Sequence, residues 1–231
     1  MANEAKNIAL FDVCDTLYYS NTTFDFIFYY LKNHKPDNLP KFKRLLNKGS
    51  FSFWFNIALA KFMGNDVIRN RAIKMLKGES KEALYKAGKD FTKMLTSQKK
   101  IEETHRLMES YQGNGYRIML VSASIDPVVH NIAADLDAKY YSTTLGYDAN
   151  GICTGVIARD LTGKKYETIQ AQMELDGIEQ IAAVSDNSSD RPMLAMAQQK
   201  HIVVYRETDK DVWGGMDGSF ILLKKRPYLY E

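Results

Sequence analysis

The chain has 231 residues, 45% of them hydrophobic, enough apolar material for a sizeable core without disulfide or metal staples. Thirty-one Lys and Arg against 28 Asp and Glu leave a formal charge of +3, too mild to indicate nucleic acid but compatible with an anionic small substrate. Cys14 and Cys153 form no CxxC or Cys/His grouping, which argues against a disulfide framework or a zinc site and makes a reducing cytoplasm the expected location. The opening MANEAKN lacks a basic segment followed by an apolar core, and no run approaches the roughly 18 apolar residues of a spanning helix, so no membrane contact is expected.

The first predicted element is the apolar run Ile8-Ala9-Leu10-Phe11, which ends abruptly in Asp12. A buried parallel strand delivers a reactive group to its C-terminal edge in this way, and open α/β sheets bind ligands at that edge. From Tyr18 to about Gln112 the pattern turns helical, with amphipathic segments at 24–31, 39–47, 51–62, 66–76, 81–95 and 99–111. Pro36, Pro40, Gly49-Ser50, Gly64-Asn65 and Gly78-Glu79-Ser80 supply the breaks. The aromatic stretches at 24–30 and 51–55 read as bundle core rather than a lipid-facing surface, because each helix of a bundle must bury a wide apolar stripe.

From Gly115 the α/β pattern returns. Residues 116–121 read as a strand ending at Ser122-Ala123-Ser124, after which Asp126-Pro127 opens a helix with a capping residue and a first-turn Pro. Residues 139–144 are a strand, 148–151 a turn and 152–157 a second short strand, together a hairpin excursion. A helix is predicted at 165–175, a buried strand at 181–184 ending in Ser185-Asp186, and a helix start at 190–194. Residues 201–205 and 220–223 complete the set of strands. His34, His105, His130 and His201 lack metal-ligand spacing, and Lys224-Lys225-Arg226-Pro227 reads as a solvated tail.

Three strand ends thus carry Asp12, Ser122 and Asp186. If these strands are parallel neighbours, two carboxylates, a hydroxyl and a lysine surround one pocket. That set suits phosphoryl transfer. Two carboxylates hold Mg²⁺ through oxygen, and the metal can bridge to a substrate phosphate. Ser122 Oγ and the Ala123 peptide N–H, near a helix N-terminus, would bind a phosphate oxygen, while Lys165 offsets charge shared by phosphate and carboxylates. Asp12 would be the nucleophile, splitting ester hydrolysis into formation and breakdown of an aspartyl phosphate. Taken singly, each residue is also an ordinary strand end, helix start or solvated face; their joint order carries the reading.

These residues resemble the haloacid dehalogenase superfamily of phosphatases. Its DxDxT motif after a hydrophobic strand is matched, with one substitution, by Asp12-Val13-Cys14-Asp15-Thr16, and its strand ending in Ser or Thr by Leu120-Val121-Ser122. Its lysine at a helix start is similar to Lys164 or Lys165, the latter favoured because Ile169 then falls one turn later; its acidic pair is matched by Asp186 and Asp190. The insert after the first motif, and the stretch 143–155, are similar to the phosphoserine-phosphatase-like branch (subfamily IB) with a helical C1-type cap. The resemblance implies a doubly wound, Rossmann-like, mainly parallel α/β core from residues 1–17 and 113–231, and an inserted all-helical cap at 18–112 whose last helix belongs to either part. It further implies that Asp12, Asp186 and the backbone carbonyl of Cys14 ligate Mg²⁺, and that Asp190 holds metal-bound water and the loop.

Cys14 is also the departure. The family's second Asp, which protonates the leaving group and later activates water, is replaced here by a thiol. Asp15 occupies a place usually held by Gly, so its side chain is expected to point elsewhere. Members that act on carbon–halogen or carbon–phosphorus bonds also lack the second Asp. The expectation is a Mg²⁺-dependent phosphatase acting on a small phosphorylated metabolite, with Tyr18, Asn21, Thr22 and Asp25 as candidate substrate contacts. The alternatives are a phosphotransferase or phosphonate-type hydrolase, or a non-catalytic module that binds a phosphate ligand. Neither nucleic acid nor membrane is expected as partner, and the oligomeric state is not legible.

Overall fold

The computed structural model describes residues 6–47, 49, 66–173 and 177–231. β1 (Asn7–Phe11) is the centre of its sheet, parallel to β2 (Tyr116–Ile125) on one side and β5 (Gln180–Ser185) on the other. Outside β2 lie β3 (Lys139–Tyr147) and β4 (Cys153–Arg159); outside β5 lie β6 (Gln199–Val204) and β7 (Ser219–Leu222). The order is β4-β3-β2-β1-β5-β6-β7, parallel throughout except for the β3/β4 hairpin.

Both faces of the sheet are covered. Ala9, Phe11, Leu120, Ala182 and Val184 face one buried cluster, while Ile8, Leu10, Val121 and Ala183 face a second, as the two-residue period of a strand requires. This makes the core a doubly wound α/β sheet. On the first face lie the described helices between β1 and β2: α1 (Thr22–His34), α2 (Leu39–Leu46), α3 (Val67–Lys74), α4 (Lys81–Gln98) and α5 (Glu102–Gly113). α6 (Asp126–Asp135) joins them there, whereas α7 (Lys165–Gln172) and α8 (Arg191–Ala195) cover the second face. Among the described residues no helix is long and apolar enough to cross a membrane.

The aromatic stripe of α1 is bundle core: Phe26 meets Phe91 of α4 with ring centroids 5.6 Å apart, and Phe28 meets Phe42 of α2 at 6.4 Å. The helix and aromatic run predicted within 51–62 lie outside the described residues. α5 packs on the sheet through Met108 and Tyr111, whose ring stands edge-on to Phe11 at 6.4 Å. α4 runs against α6, where Asn131 Nδ2 donates to Tyr85 O and to Pro127 O.

Two local expectations are corrected. β2 does not stop at Val121 but continues to Ile125 through an irregular register between Ser122 and Ile125, which turns Ser122-Ala123-Ser124 into part of a bulged strand. Asp126 is not the helix cap. Ile125 takes that position, because the Asp126 carboxylate is drawn to Leu145 N (2.9 Å) and Tyr85 OH (2.8 Å).

The α4/α6 crossing depends on Gly88, where an added Cβ would overlap the Pro127 carbonyl. Alanine there improves helix propensity by about 1 kcal/mol, but overpacking against backbone costs about 1–3 kcal/mol. Gly88→Ala should therefore lower the urea midpoint, whereas Gly113→Ala, with open space around it, should leave it unchanged or raised.

Candidate active site

Register brings the three strand ends together. Phe11 is level with Leu120 of β2 and Val184 of β5, so Asp12 emerges between them, its N–H donating to Val184 O at 3.0 Å. Ser122 and Asp186 follow one step later on the flanking strands. Lys165, the first residue of α7, reaches into this edge from the other face of the sheet.

The Lys165 ammonium is buried between two buried carboxylates, 2.6 Å from Asp12 Oδ1 and 2.6 Å from Asp190 Oδ2. Ser185 Oγ donates to the same Asp190 oxygen at 2.6 Å. Burial works against the lysine's charge, but Asp12 and Asp190 outweigh it and hold its pKa above the ordinary lysine value. Lys164 is exposed, at the N-cap of α7. Asp186 accepts from Thr16 Oγ1 at 3.2 Å, while its N–H donates back to that hydroxyl at 3.1 Å.

Asp12, Ser122, Ala123, Lys165 and Asp190 line a cavity of about 260 Å³ together with Cys14. Its opposite wall comes from the helical insert: Asn21, Thr23, Phe24, Asp66 and Arg69. Asn21 also caps α1, accepting from Phe24 N. Arg69 was not singled out from sequence, because an arginine on an amphipathic helix reads as solvated. It is buried instead, donating to Asp160 Oδ1 (2.8 Å), Thr162 Oγ1 (2.7 Å), Thr143 Oγ1 (3.0 Å) and Ala123 O (2.6 Å). It therefore ties α3 to the bulged end of β2 and to the turn before α7.

Cys14 faces a hydroxyl cluster. Its Sγ lies 3.1 Å from Thr22 Oγ1 and 3.2 Å from Ser124 Oγ, those two hydroxyls are bonded to each other, and Thr23 Oγ1 donates to Ser124 Oγ at 3.4 Å. Burial, followed by the charge of Asp12, pushes the thiol up to about 11. The thiol is thus protonated at neutral pH.

Four candidate residues, Tyr18, Thr22, Asp25 and Asp186, do not line the cavity. Tyr18 is buried, its ring edge-on to His105 at 5.2 Å, and does not line the cavity. Asp25 is turned about 100° round α1 from Phe24 and accepts from Ser20 Oγ (2.6 Å) and Leu229 N (2.6 Å) instead. Asp186 stands beside the cavity on Thr16 rather than in its lining. Thr22 joins the hydroxyl cluster and not the lining. Asp15 has φ 49°, and its carboxylate is turned to Lys225 and Tyr228 OH. Residues 224–227 are therefore not a free tail: Lys225 binds Asp15, and Pro227 O accepts from Lys99 Nζ at 2.8 Å.

The donor set fits a hard divalent cation. Mg²⁺ takes oxygen ligands, commonly one or two carboxylates with the rest supplied by carbonyls, water and phosphate. Among the described residues no trio of His, Cys, Asp and Glu side chains forms a closed metal cluster. Burial, and then the charges of Asp12 and Asp15, push the Asp186 carboxyl well above the usual range. Such crowding of negative charge is what a divalent cation between Asp12 and Asp186 would relieve.

A family model described as haloacid dehalogenase-like hydrolase matches residues 9–195. Among solved structures, a protein of unknown function from Bordetella pertussis Tohama I is similar, with a TM-score of 0.69 at 14% identity, over 93% of this chain and 97% of that one. A phospho-aspartyl intermediate analogue of phosphoserine phosphatase is similar, with a TM-score of 0.58 at 21% identity over 92% of both chains. Cytosolic 5'-nucleotidase IIIB bound to cytidine is also similar, with a TM-score of 0.61 at 12% identity over 96% of this chain and 81% of that one. No curated protein matches the sequence significantly.

Two measurements test this geometry. Lys165→Met leaves two buried carboxylates without their cation and should cost about 3–5 kcal/mol in urea unfolding, whereas Lys164→Met should stay within about 0.5 kcal/mol. Asp25, pushed up to about 6 by burial despite its hydrogen bonds to Ser20 and Leu229, should give the second signal. Because its folded pKa is raised, the folded state binds the extra proton. The stability is complete below the ordinary carboxylate range and is lost as pH rises through about 6. Asp25→Asn should flatten that part of the stability–pH curve; an unchanged slope would mean that Asp25 titrates normally.

Proposed function

The chain belongs to the haloacid dehalogenase-like hydrolase family, and from that premise we propose that it is a cytoplasmic, Mg²⁺-dependent phosphatase of small phosphorylated metabolites. The observation that carries this reading is the Lys165 bridge from Asp12 to Asp190 at the floor of a cavity also lined by Ser122. The described helices within 18–112 would form a helical cap of the C1 type over that cavity, excluding water and supplying specificity, with α5, which packs on the sheet, assigned to the core.

Lys165 holds Asp12 Oδ1, which leaves the other carboxylate oxygen to attack phosphorus. The P–O bond to the leaving group breaks as the bond to Asp12 forms, and Ser122 Oγ and the Ala123 peptide N–H donate to the phosphoryl oxygens. Water then attacks phosphorus, releasing inorganic phosphate and restoring the Asp12 carboxylate. Asp12, Asp186 and the Cys14 carbonyl would hold Mg²⁺, whose chemistry is to neutralise charge on the transferring phosphoryl group. Asp190 keeps Lys165 in place.

Cys14 sets the weak point. As a protonated thiol among hydroxyls it offers the leaving oxygen a hydrogen bond but offers the attacking water no strong base. The same observation favours a second reading, a phosphotransferase in which another nucleophile takes the phosphoryl group before water does.

A positioned general acid/base is worth roughly 10² to 10⁴ in rate, so aryl phosphates, which need little protonation to leave, should be turned over far faster than alkyl phosphates. Rapid mixing with an aryl phosphate and Mg²⁺ should give a burst of phenolate approaching one equivalent per site, with no burst in EDTA. Cys14→Asp should shrink the burst and raise steady-state turnover, most on alkyl esters. Equal rates on aryl and alkyl esters without a burst would show that another group supplies the proton.

A further inference from the structure

The segment 224–231 runs back over the turn that follows Asp12, and its contacts are not those of an incidental tail. We propose that Lys225 and Tyr228 are positioning residues of the active site, holding the left-handed turn at Asp15 and through it the loop that carries Asp12 and Cys14. This rests on the reading of that loop as catalytic.

Asp15 is an L-residue at φ 49°, a conformation that costs about 1–2 kcal/mol unless its surroundings hold it there. Three groups do so. Lys225 Nζ and Tyr228 OH both donate to Asp15 Oδ2, and Tyr205 OH donates to the Asp15 carbonyl at 2.6 Å. The other carboxylate oxygen, Oδ1, is buried with no hydrogen-bond partner, so the charge depends on the Oδ2 pair. The Lys225 ammonium also stacks over the Tyr205 and Tyr228 rings at 4.7 and 4.5 Å.

The same segment grips the far side of the loop. Arg226 lies over the Tyr19 ring at 4.7 Å, and Leu229 N donates to Asp25, whose other oxygen accepts from Ser20 Oγ. Tyr230 meets Phe24, a wall of the cavity, edge-on at 6.0 Å. Residues 15, 19, 24 and 25 are thus all tied to one strand of chain distant in sequence, and the loop between them is closed on both sides.

An ordinary surface ion pair contributes little, because water replaces either partner. This pair differs at its acidic end: the Asp15 side chain is 10% exposed, against 44% for Lys225. Losing the lysine would leave a buried, half-satisfied carboxylate, whose cheapest relief is to turn outward and break the left-handed turn. Lys225 itself contributes no core packing, and neither it nor Tyr228 lines the cavity, so any effect on turnover must pass through the loop.

The test uses the full chain with Lys225→Met, Lys225→Met/Tyr228→Phe and Lys225→Arg. Hydrogen exchange is read at the Leu17 and Tyr18 amides, which donate to Val13 O at 3.0 and 3.3 Å, with the buried strand at 8–11 as the internal control. Turnover is read with p-nitrophenyl phosphate. The double variant should exchange those two amides at least about tenfold faster while the control is unchanged. Its kcat should fall about tenfold with KM within twofold, and Lys225→Arg should restore both. Unchanged exchange at Leu17 and Tyr18 would overturn the proposal, as would loosened exchange with kcat intact. A wild type inactive on every phosphate ester would sink the phosphatase reading instead, and exchange alone would then decide whether the segment holds the loop.

Discussion

The burial of the Lys165 ammonium between Asp12 and Asp190 is the constraint on which the site depends. Taking three charges out of water is costly, and attraction offsets that cost only when geometry is good and the remaining oxygens find donors. Here Ser185 supplies one such donor to Asp190. The three partners come from the end of β1, the start of α7 and the turn before α8, so the bridge exists only if sheet register and both crossovers are correct. The bridge also fixes where the Asp12 carboxylate lies, with Oδ1 held by Lys165.

Position 14 places an uncharged side chain beside Asp12. A carboxylate there would have to be desolvated beside Asp12, whereas the thiol sits among Thr22, Thr23 and Ser124 without charge. Each hydroxyl in that cluster can turn between donor and acceptor, so the wall is adaptable but has no strong base.

Much of this was legible in the sequence because it is local. The apolar run ending in Asp12 and the strand leading into Ser185-Asp186 follow from strand periodicity, as does the strand through residues 116–121. Where the reading failed, the partner was distant. Asp126 left its cap for Leu145 and Tyr85, Asp25 turned to Leu229, and Lys225 found Asp15 210 residues away. Arg69 gave no signal at all, since nothing in a helical pattern distinguishes a solvated arginine from one that meets Ala123, Thr143 and Asp160 in space. A polar side chain in a sequence reveals its chemistry but not its partner.

Charge balance ties these pieces together. Asp12, Asp15, Asp186 and Asp190 bring four carboxylates to the loop and strand ends, against the ammonium groups of Lys165 and Lys225, an excess of two negative charges when all are ionised. Arg69 does not change the sum, because its guanidinium is paired with Asp160. A phosphate dianion entering such a site meets repulsion, and the protein's own relief is to push the Asp186 carboxyl toward its protonated form. The proposed Mg²⁺ would cancel the excess. The neutral donors, Ser122 Oγ and the Ala123 peptide, would then face the phosphate in a site whose net charge no longer opposes it. Lys225 stands outside the cavity but enters this balance through Asp15, whose charge is one of those that raise Asp186.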